Sequence, residues 1–198
     1  MEIEVKSSNG IRIVPLEAHL LSERWIFVSG VLNKSAAGDF IRQIILLNCQ
    51  NSYKPIQVLI DIADGDAEAG LLMYDAIQSS SAKVDVFCIG RACGIGALIL
   101  ASATGKRSLL PHSIVNLRMS RKSEAIGIGY GPDDSKKKTV EDKLIELFGR
   151  HTKMDEVQIK TAMAQETDIT PEQCIEMGIA DSISGIGELL KEKNEYER

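Results

Sequence analysis

Aromatic residues make up only 5% of this 198-residue chain, and it holds just three histidines, five prolines, four cysteines and one tryptophan. Each shortage narrows what the chain can be. The cysteines, at 49, 88, 93 and 174, lie far apart with no C-x-x-C pair, which argues against a zinc site or a disulfide framework. Three of them sit in apolar stretches, where a free thiol behaves as a small hydrophobe. Basic residues are the minority, 23 against 28 acidic, and are scattered, so no nucleic-acid footprint is present. The run Asp133-Asp134-Ser135-Lys136-Lys137-Lys138 mixes signs and reads as a solvated turn. No apolar stretch reaches the ~18 residues that a bilayer span requires, and Met-Glu-Ile-Glu-Val is no apolar signal core. The cytoplasm is the expected compartment, and no membrane partner is expected.

What remains is ordinary globular composition, 44% apolar and 26% charged, in a length that suits one domain with a real core. Residues 1–22 read as an arm with a short hairpin, since Ile3 and Val5, then Ile11 and Ile13, alternate around Ser7-Ser8-Asn9-Gly10. Trp25 to Val28 is a short strand ended by Gly30. Ser35 caps a helix whose apolar positions Phe40, Ile41, Ile44, Ile45 and Leu47 recur at helical spacing. A strand over 56–62 leads through Ala63-Asp64-Gly65-Asp66 to a helix over 69–79. A second strand, 84–89, is closed by Gly90 and followed by an apolar stretch from Gly94 to Ala101 that suits a fully buried helix. Short strands flank Pro111-His112, and amphipathic helices cover 143–150 and 155–164. Thr170-Pro171-Glu172-Gln173 opens a last helix that ends at Gly178. Such alternation predicts an α/β fold of βαβ units around a mostly parallel sheet.

Two junctions stand out, the turns after strands 56–62 and 84–89, because ligands bind at the carboxyl ends of strands in open α/β architecture. A strand, a tight turn and a buried helix also form a nucleophile elbow. The residues there carry a family resemblance. Gly90-Arg91-Ala92-Cys93-Gly94-Ile95-Gly96-Ala97-Leu98 resembles the G-x-A-A-S-M-G-A-L of Clp protease proteolytic subunits. Ile60-Asp61-Ile62-Ala63-Asp64-Gly65-Asp66-Ala67-Glu68-Ala69-Gly70-Leu71 resembles their I-N-S-P-G-G-S-V-x-A-G-L. Lys106-Arg107 with Leu110-Pro111, Met177-Gly178-Ile179-Ala180-Asp181, and Leu20-Leu21-Ser22-Glu23-Arg24-Trp25-Ile26-Phe27 match further elements. The resemblance runs from about residue 10 to 184. It implies the Clp protease/crotonase-like α/β fold of repeated ββα units with a projecting handle helix. Residues 23–184 would form that domain, 119–151 its handle region, 1–22 an N-terminal arm and 185–198 a charged tail.

The likeness fails at the catalytic positions. Gly94 stands where the family has its nucleophilic serine, Arg118 where it has the general-base histidine, and Glu166 where it has the orienting aspartate. Serine-protease chemistry needs an oxygen nucleophile, a base and a carboxylate that fixes the base. Glycine supplies no nucleophile, and a guanidinium stays protonated and accepts no proton. Cys93 adjoins the elbow, but one helical step turns its side chain by about 100°. His112 lies six residues before Arg118, about 20 Å along an extended strand, and His19 and His151 are elsewhere. The resemblance also assigns Gly65 and Ile95 to an oxyanion hole. Two readings of them stand together: backbone donors that survive the loss of the triad, or a turn glycine and a core isoleucine.

The resemblance therefore implies a Clp-like subunit without peptidase activity, structural or regulatory, with no metal and no cofactor. The alternatives are a crotonase-like enzyme or binder of acyl thioesters at the surviving oxyanion pocket, and an active peptidase with an unconventional nucleophile. Expected partners are copies of the chain in a heptameric ring and an active paralogue. Val140, Leu144, Ile145 and Leu147 of the handle would bury against a neighbour. Binding to the family's ATPase would be weak or absent, since Gln57, Leu59 and Ser79 occupy positions of an aromatic docking cleft, and Met119-Ser120-Arg121-Lys122 replaces the segment that pairs two rings. An Arg118–Glu166 ion pair is expected in place of the histidine–aspartate bond.

Overall fold

The computed structural model describes residues 1–7, 10–119 and 134–188. The turn Ser8-Asn9, the segment 120–133 with most of Met119-Ser120-Arg121-Lys122 and part of the handle region, and the end of the tail lie outside the described residues.

The arm opens with strands β1 (Glu2–Ser7) and β2 (Gly10–Pro15), paired antiparallel with Ser7 opposite Gly10, and continues into a short helix, α1 (Leu16–Ser22). The body alternates strand and helix: β3 (Trp25–Leu32), α2 (Lys34–Gln50), β4 (Ile56–Gly65), α3 (Ala67–Ser79), β5 (Val84–Cys93), α4 (Ile95–Ala101), β6 (Arg107–Leu109) and β7 (Ile114–Asn116). Helices α5 (Asp134–His151), α6 (Glu156–Gln165) and α7 (Pro171–Met177) precede β8 (Ser182–Ile183). All pairings in the main sheet are parallel, in the order β3-β4-β5-β6-β8, with β7 joined to the far end of β5. This is the mixed α/β fold expected.

The core is built where strand and helix periods agree. Ile56, Val58, Ile60 and Ile62 of β4 are fully buried, as is all of α4, which runs behind β4 and β5. A second apolar cluster on the other face joins Trp25, Leu59 and Phe87 with Leu20, Ile89 and Leu110.

Several boundaries differ from expectation, each for a local reason. Gly30 does not end β3: it sits at φ 86°, makes a bulge, and the strand resumes to Leu32. Gly90 likewise lies inside β5, because its lack of a Cβ leaves room for the Asp61 carboxylate, 2.5 Å from where that atom would be. Helix α2 is capped by Asn33, whose Oδ1 accepts from the Ala36 N–H at 3.0 Å, and Ser35 falls inside the helix. Asp134 to Lys138 belong to α5 and are not a turn. The expected start at Thr170 is present as a full capping box with Gln173, and Gly178 closes the helix at φ 72°.

Arg24 fastens the bottom of the sheet. It occupies the left-handed region at φ 68°, and its buried guanidinium donates to the carbonyls of Leu47, Asn51, Lys54 and Pro55 at 2.9 to 3.1 Å. Four carbonyls at the end of α2 and in the following loop thereby gain a charged donor.

Candidate functional site

The five positions singled out from the sequence converge where β5 ends. The strand pairing sets Cys93 opposite Asn116, and the Gly94 N–H donates to the Asn116 carbonyl at 2.7 Å. Gly94 has φ 57° and ψ −114°, outside the regions open to ordinary side chains, and turns the chain into α4. That is elbow geometry with nothing mounted on it. Gly65 packs against the first residue of α4: a Cβ on it would stand 3.2 Å from Ile95 Cγ2 and 2.5 Å from Leu32 Cβ. Its glycine identity thus follows from crowding. The Gly65 N–H is already engaged, donating to Asp64 Oδ1 at 2.8 Å.

Arg118 follows two residues after Asn116 and reaches back over β4, where Nη2 donates to the Ala63 carbonyl at 2.9 Å. Its Nε is buried and finds no acceptor, and among the described residues the guanidinium pairs with no carboxylate. The expected Arg118–Glu166 ion pair is therefore absent: the guanidinium takes the carbonyl at the end of β4 instead. Glu166 ends α6 in the left-handed conformation, φ 49°, with its carbonyl accepting from Asn116 Nδ2 at 2.6 Å.

Asn116 organises all of this. Buried to 2% exposure, it also donates to Asp168 Oδ1 at 3.1 Å and accepts the Arg118 N–H through Oδ1 at 2.8 Å. One amide thus holds the elbow strand, the Arg118 backbone and the 166–168 turn in register. Asn116 belongs to none of the motifs quoted from the sequence, although a lone asparagine in an apolar strand signals a buried amide with partners to find. The bridge between Val115 and Ile169 completes the junction.

Electrostatics disfavour a substitute nucleophile. Burial pushes the Cys93 thiol above its ordinary pKa, against the opposing pull of the Arg118 and Arg91 guanidinium groups. Cys88 is driven up to about 11 and Cys174 to about 12, both mainly by burial. Thiols of this kind are poor nucleophiles near neutrality. Of the histidines, His112 is exposed on the turn before β7, His19 lies on α1, and His151 closes α5 with Nε2 at 3.0 Å from the Tyr74 hydroxyl. No base approaches Gly94 from among them.

A family model described as Clp protease matches residues 8–186. The chain belongs to the Clp protease family. It is 29% identical over 183 residues to the ATP-dependent Clp protease proteolytic subunit of Deinococcus radiodurans, an alignment that covers 90% of this chain and 88% of that protein.

Within this Clp family member, the three positions taken from the family's aromatic docking cleft have distinct surroundings. Gln57 is buried and donates to Asp85 Oδ2 at 2.7 Å, and Ser79 is turned onto the Asp75 carbonyl of its own helix at 2.6 Å. Leu59 joins Trp25 and Phe87, with Leu20 of α1 packed against them. Leu59, Trp25 and Phe87 are all buried there, with Leu20 of the arm among the side chains that cover them. The handle stripe also differs from expectation. Leu144, Ile145 and Leu147 are buried within the chain itself, together with Phe148, and Val140 is partly buried against the same core, since the end of α5 packs on α4 and α6. Those side chains are not available to a neighbour. No described helix is long and apolar enough to cross a membrane.

Proposed function

We propose that this chain is a Clp proteolytic-subunit paralogue that takes part in a ring assembly without hydrolysing peptides, in a structural or regulatory role. One observation carries the reading: an elbow-shaped turn at Gly94 bears no side chain, and Arg118, the counterpart of the family's base, donates its guanidinium to a backbone carbonyl. A peptidase mechanism requires a proton to leave the nucleophile for a base, and neither group is available. Glu166, Arg118 and Gly94 are the degenerate counterparts of the triad. Gly65 and Ile95 are the counterparts of the oxyanion hole, where the Asp64 carboxylate on the Gly65 N–H opposes the approach of a developing oxyanion.

The ring is heptameric in this reading, formed by copies of the chain or mixed with an active paralogue, in the cytoplasm. Exposed Ile45 and Leu46 on α2 and Leu72 on α3 are the apolar surface that such contacts would bury. Docking of the family's ATPase is weak, because Gln57 and Ser79 spend their polar groups internally and present no aromatic face.

Two measurements on the purified chain test this together. Fluorogenic peptides should yield no turnover above a blank, and native mass should give a particle of ring size, alone or with the paralogue. Turnover that disappears on Cys93→Ala or on loss of one serine contradicts the first half, and a stable monomer in both mixtures contradicts the second.

A further inference from the structure

Strand β3 closes one side of the main sheet, and among the described residues β4 is its only ladder partner. None of its residues, Trp25 to Leu32, is charged. The Gln57 N–H donates to the Arg24 carbonyl at 2.9 Å, which fixes the side of the chain that faces β4. Backbone groups alternate in direction along a strand, so the amides of Ile26 and Val28 face β4 and those of Phe27 and Ser29 face outward. Phe27 is 51% exposed and Ser29 is exposed as well. An apolar edge of this kind is a template for another strand, and folded chains usually blunt theirs with lysine, proline or a cover.

A groove follows the same edge. Helix α2 packs on the core face of the sheet, whereas α1 sets Leu21 against that core and Leu20 against the Trp25, Leu59 and Phe87 cluster of the opposite face. Leu16, Glu17, Leu20 and Leu21 of α1 and Gln43 of α2 meet Phe27 around a groove of about 520 Å³. Because its walls come from both faces of the sheet, the groove lies along the open edge of β3. Among the described residues that line it, only Glu17 is charged.

We infer that the edge of β3 receives an extended segment of another polypeptide, with an apolar and a basic side chain two residues apart seated in the groove. The outward groups of Phe27 and Ser29 hold the backbone of the added strand, and the groove selects among its side chains. Residues two apart share one face of a strand, so both side chains enter together. Gly30, at φ 86°, bends β3 just beyond Ser29 and limits the straight edge to a short segment. Charge disfavours a second copy of the chain: paired through its own β3 it brings an uncharged strand and leaves Glu17 without a counterpart, which a lysine or arginine supplies.

Fluorescence anisotropy of the labelled octapeptide Thr-Val-Thr-Leu-Thr-Lys-Thr-Val with the full-length chain tests this. The peptide should bind, and glutamate in place of its lysine should weaken binding tenfold or more. Glu17→Gln should shrink that difference to threefold or less. Only alternate amides of an added strand face β3, so N-methylation of one alternate set should abolish binding, and methylation of the other should change it less than threefold. Ser29→Pro removes an outward donor and leaves the ladder to β4 in place, so it should weaken the parent peptide tenfold or more. No binding, equal effects of the two methylated sets, or a lysine preference that survives Glu17→Gln would overturn the inference. A native mass that falls on Ser29→Pro would also overturn it, because the edge would then belong to a second copy. The methylated peptides need no variant and decide even if a substitution unfolds the chain.

Discussion

Two arginines of this chain, Arg24 and Arg118, meet backbone carbonyls in opposite ways. Arg24 reaches four of them, accepts a left-handed backbone to do so, and lies buried at the base of the sheet. Arg118 reaches one, leaves Nε unsatisfied, and stands at the rim where β5 turns into α4. The first arrangement is what selection for stability produces, since each charged hydrogen bond adds to a closed network. The second contributes little to folding, and such under-satisfied groups collect at sites that act on something else. The comparison can be pressed by mutation.

The largest effect is expected at Arg24. Arg24→Ala strands several carbonyls and should lower stability by about 3 kcal/mol or more, read as a shift in the urea midpoint. Arg118→Gln should stay within about 1 kcal/mol of the parent. Equal losses at the two positions would erase the distinction between them.

Next comes Asn116, which ties the Arg118 strand to the 166–168 turn. Asn116→Ala removes a buried amide with three side-chain hydrogen bonds and should cost about 2–3 kcal/mol. It should also accelerate amide hydrogen exchange near Ile169 more than near Arg24. A uniform acceleration would show that Asn116 is ordinary core.

Gly94→Ser sharpens the contrast from the elbow side. A side chain at φ 57° and ψ −114° costs about 1–3 kcal/mol of backbone strain. The variant should be less stable and still gain no peptidase turnover, because Arg118 accepts no proton. Hydrolysis by that single variant would mean another base serves the site.

The smallest effect concerns a third arginine. Arg107 donates to the His151 carbonyl at 2.8 Å and is paired with Asp181, as fully used as Arg24. Burial holds the His151 pKa below its ordinary 6.5, helped by Arg107 and Arg150. A depressed folded pKa means that the folded chain resists protonation. Its stabilising contribution is complete above pH 6.5 and is lost as pH falls through the lower folded value. The midpoint of unfolding should drop modestly between pH 7 and 5, and His151→Gln should flatten that slope. An unchanged slope would place the titrating group elsewhere.

The sequence disclosed most where a local pattern decides the structure. Thr170, Gln173 and Gly178 announce both ends of α7, and the alternation of apolar strands with helical stripes carries the parallel sheet. Misplaced boundaries came from residues with two uses. Gly30 and Gly90 can stop a strand or can make room within one, and only the neighbour across the sheet, such as Asp61, decides. Asn33 and Ser35 are both able caps, and the backbone geometry before Ala36 selects the first. At the site, the resemblance pointed to the positions to inspect, but not to what the residues there do. Arg118 and Glu166 have opposite charges, yet the guanidinium takes a carbonyl on β4 instead, and the loop geometry that separates them depends on Asn116. Such competition between a side chain and the backbone is invisible in one dimension.

The central claim, that the elbow carries no working nucleophile, is met most directly by intact-mass measurement after exposure to a fluorophosphonate. The chain should keep its unmodified mass while an active Clp proteolytic subunit in the same tube is labelled to completion. A stoichiometric adduct on this chain, lost when one serine or Cys93 is replaced, would contradict the account.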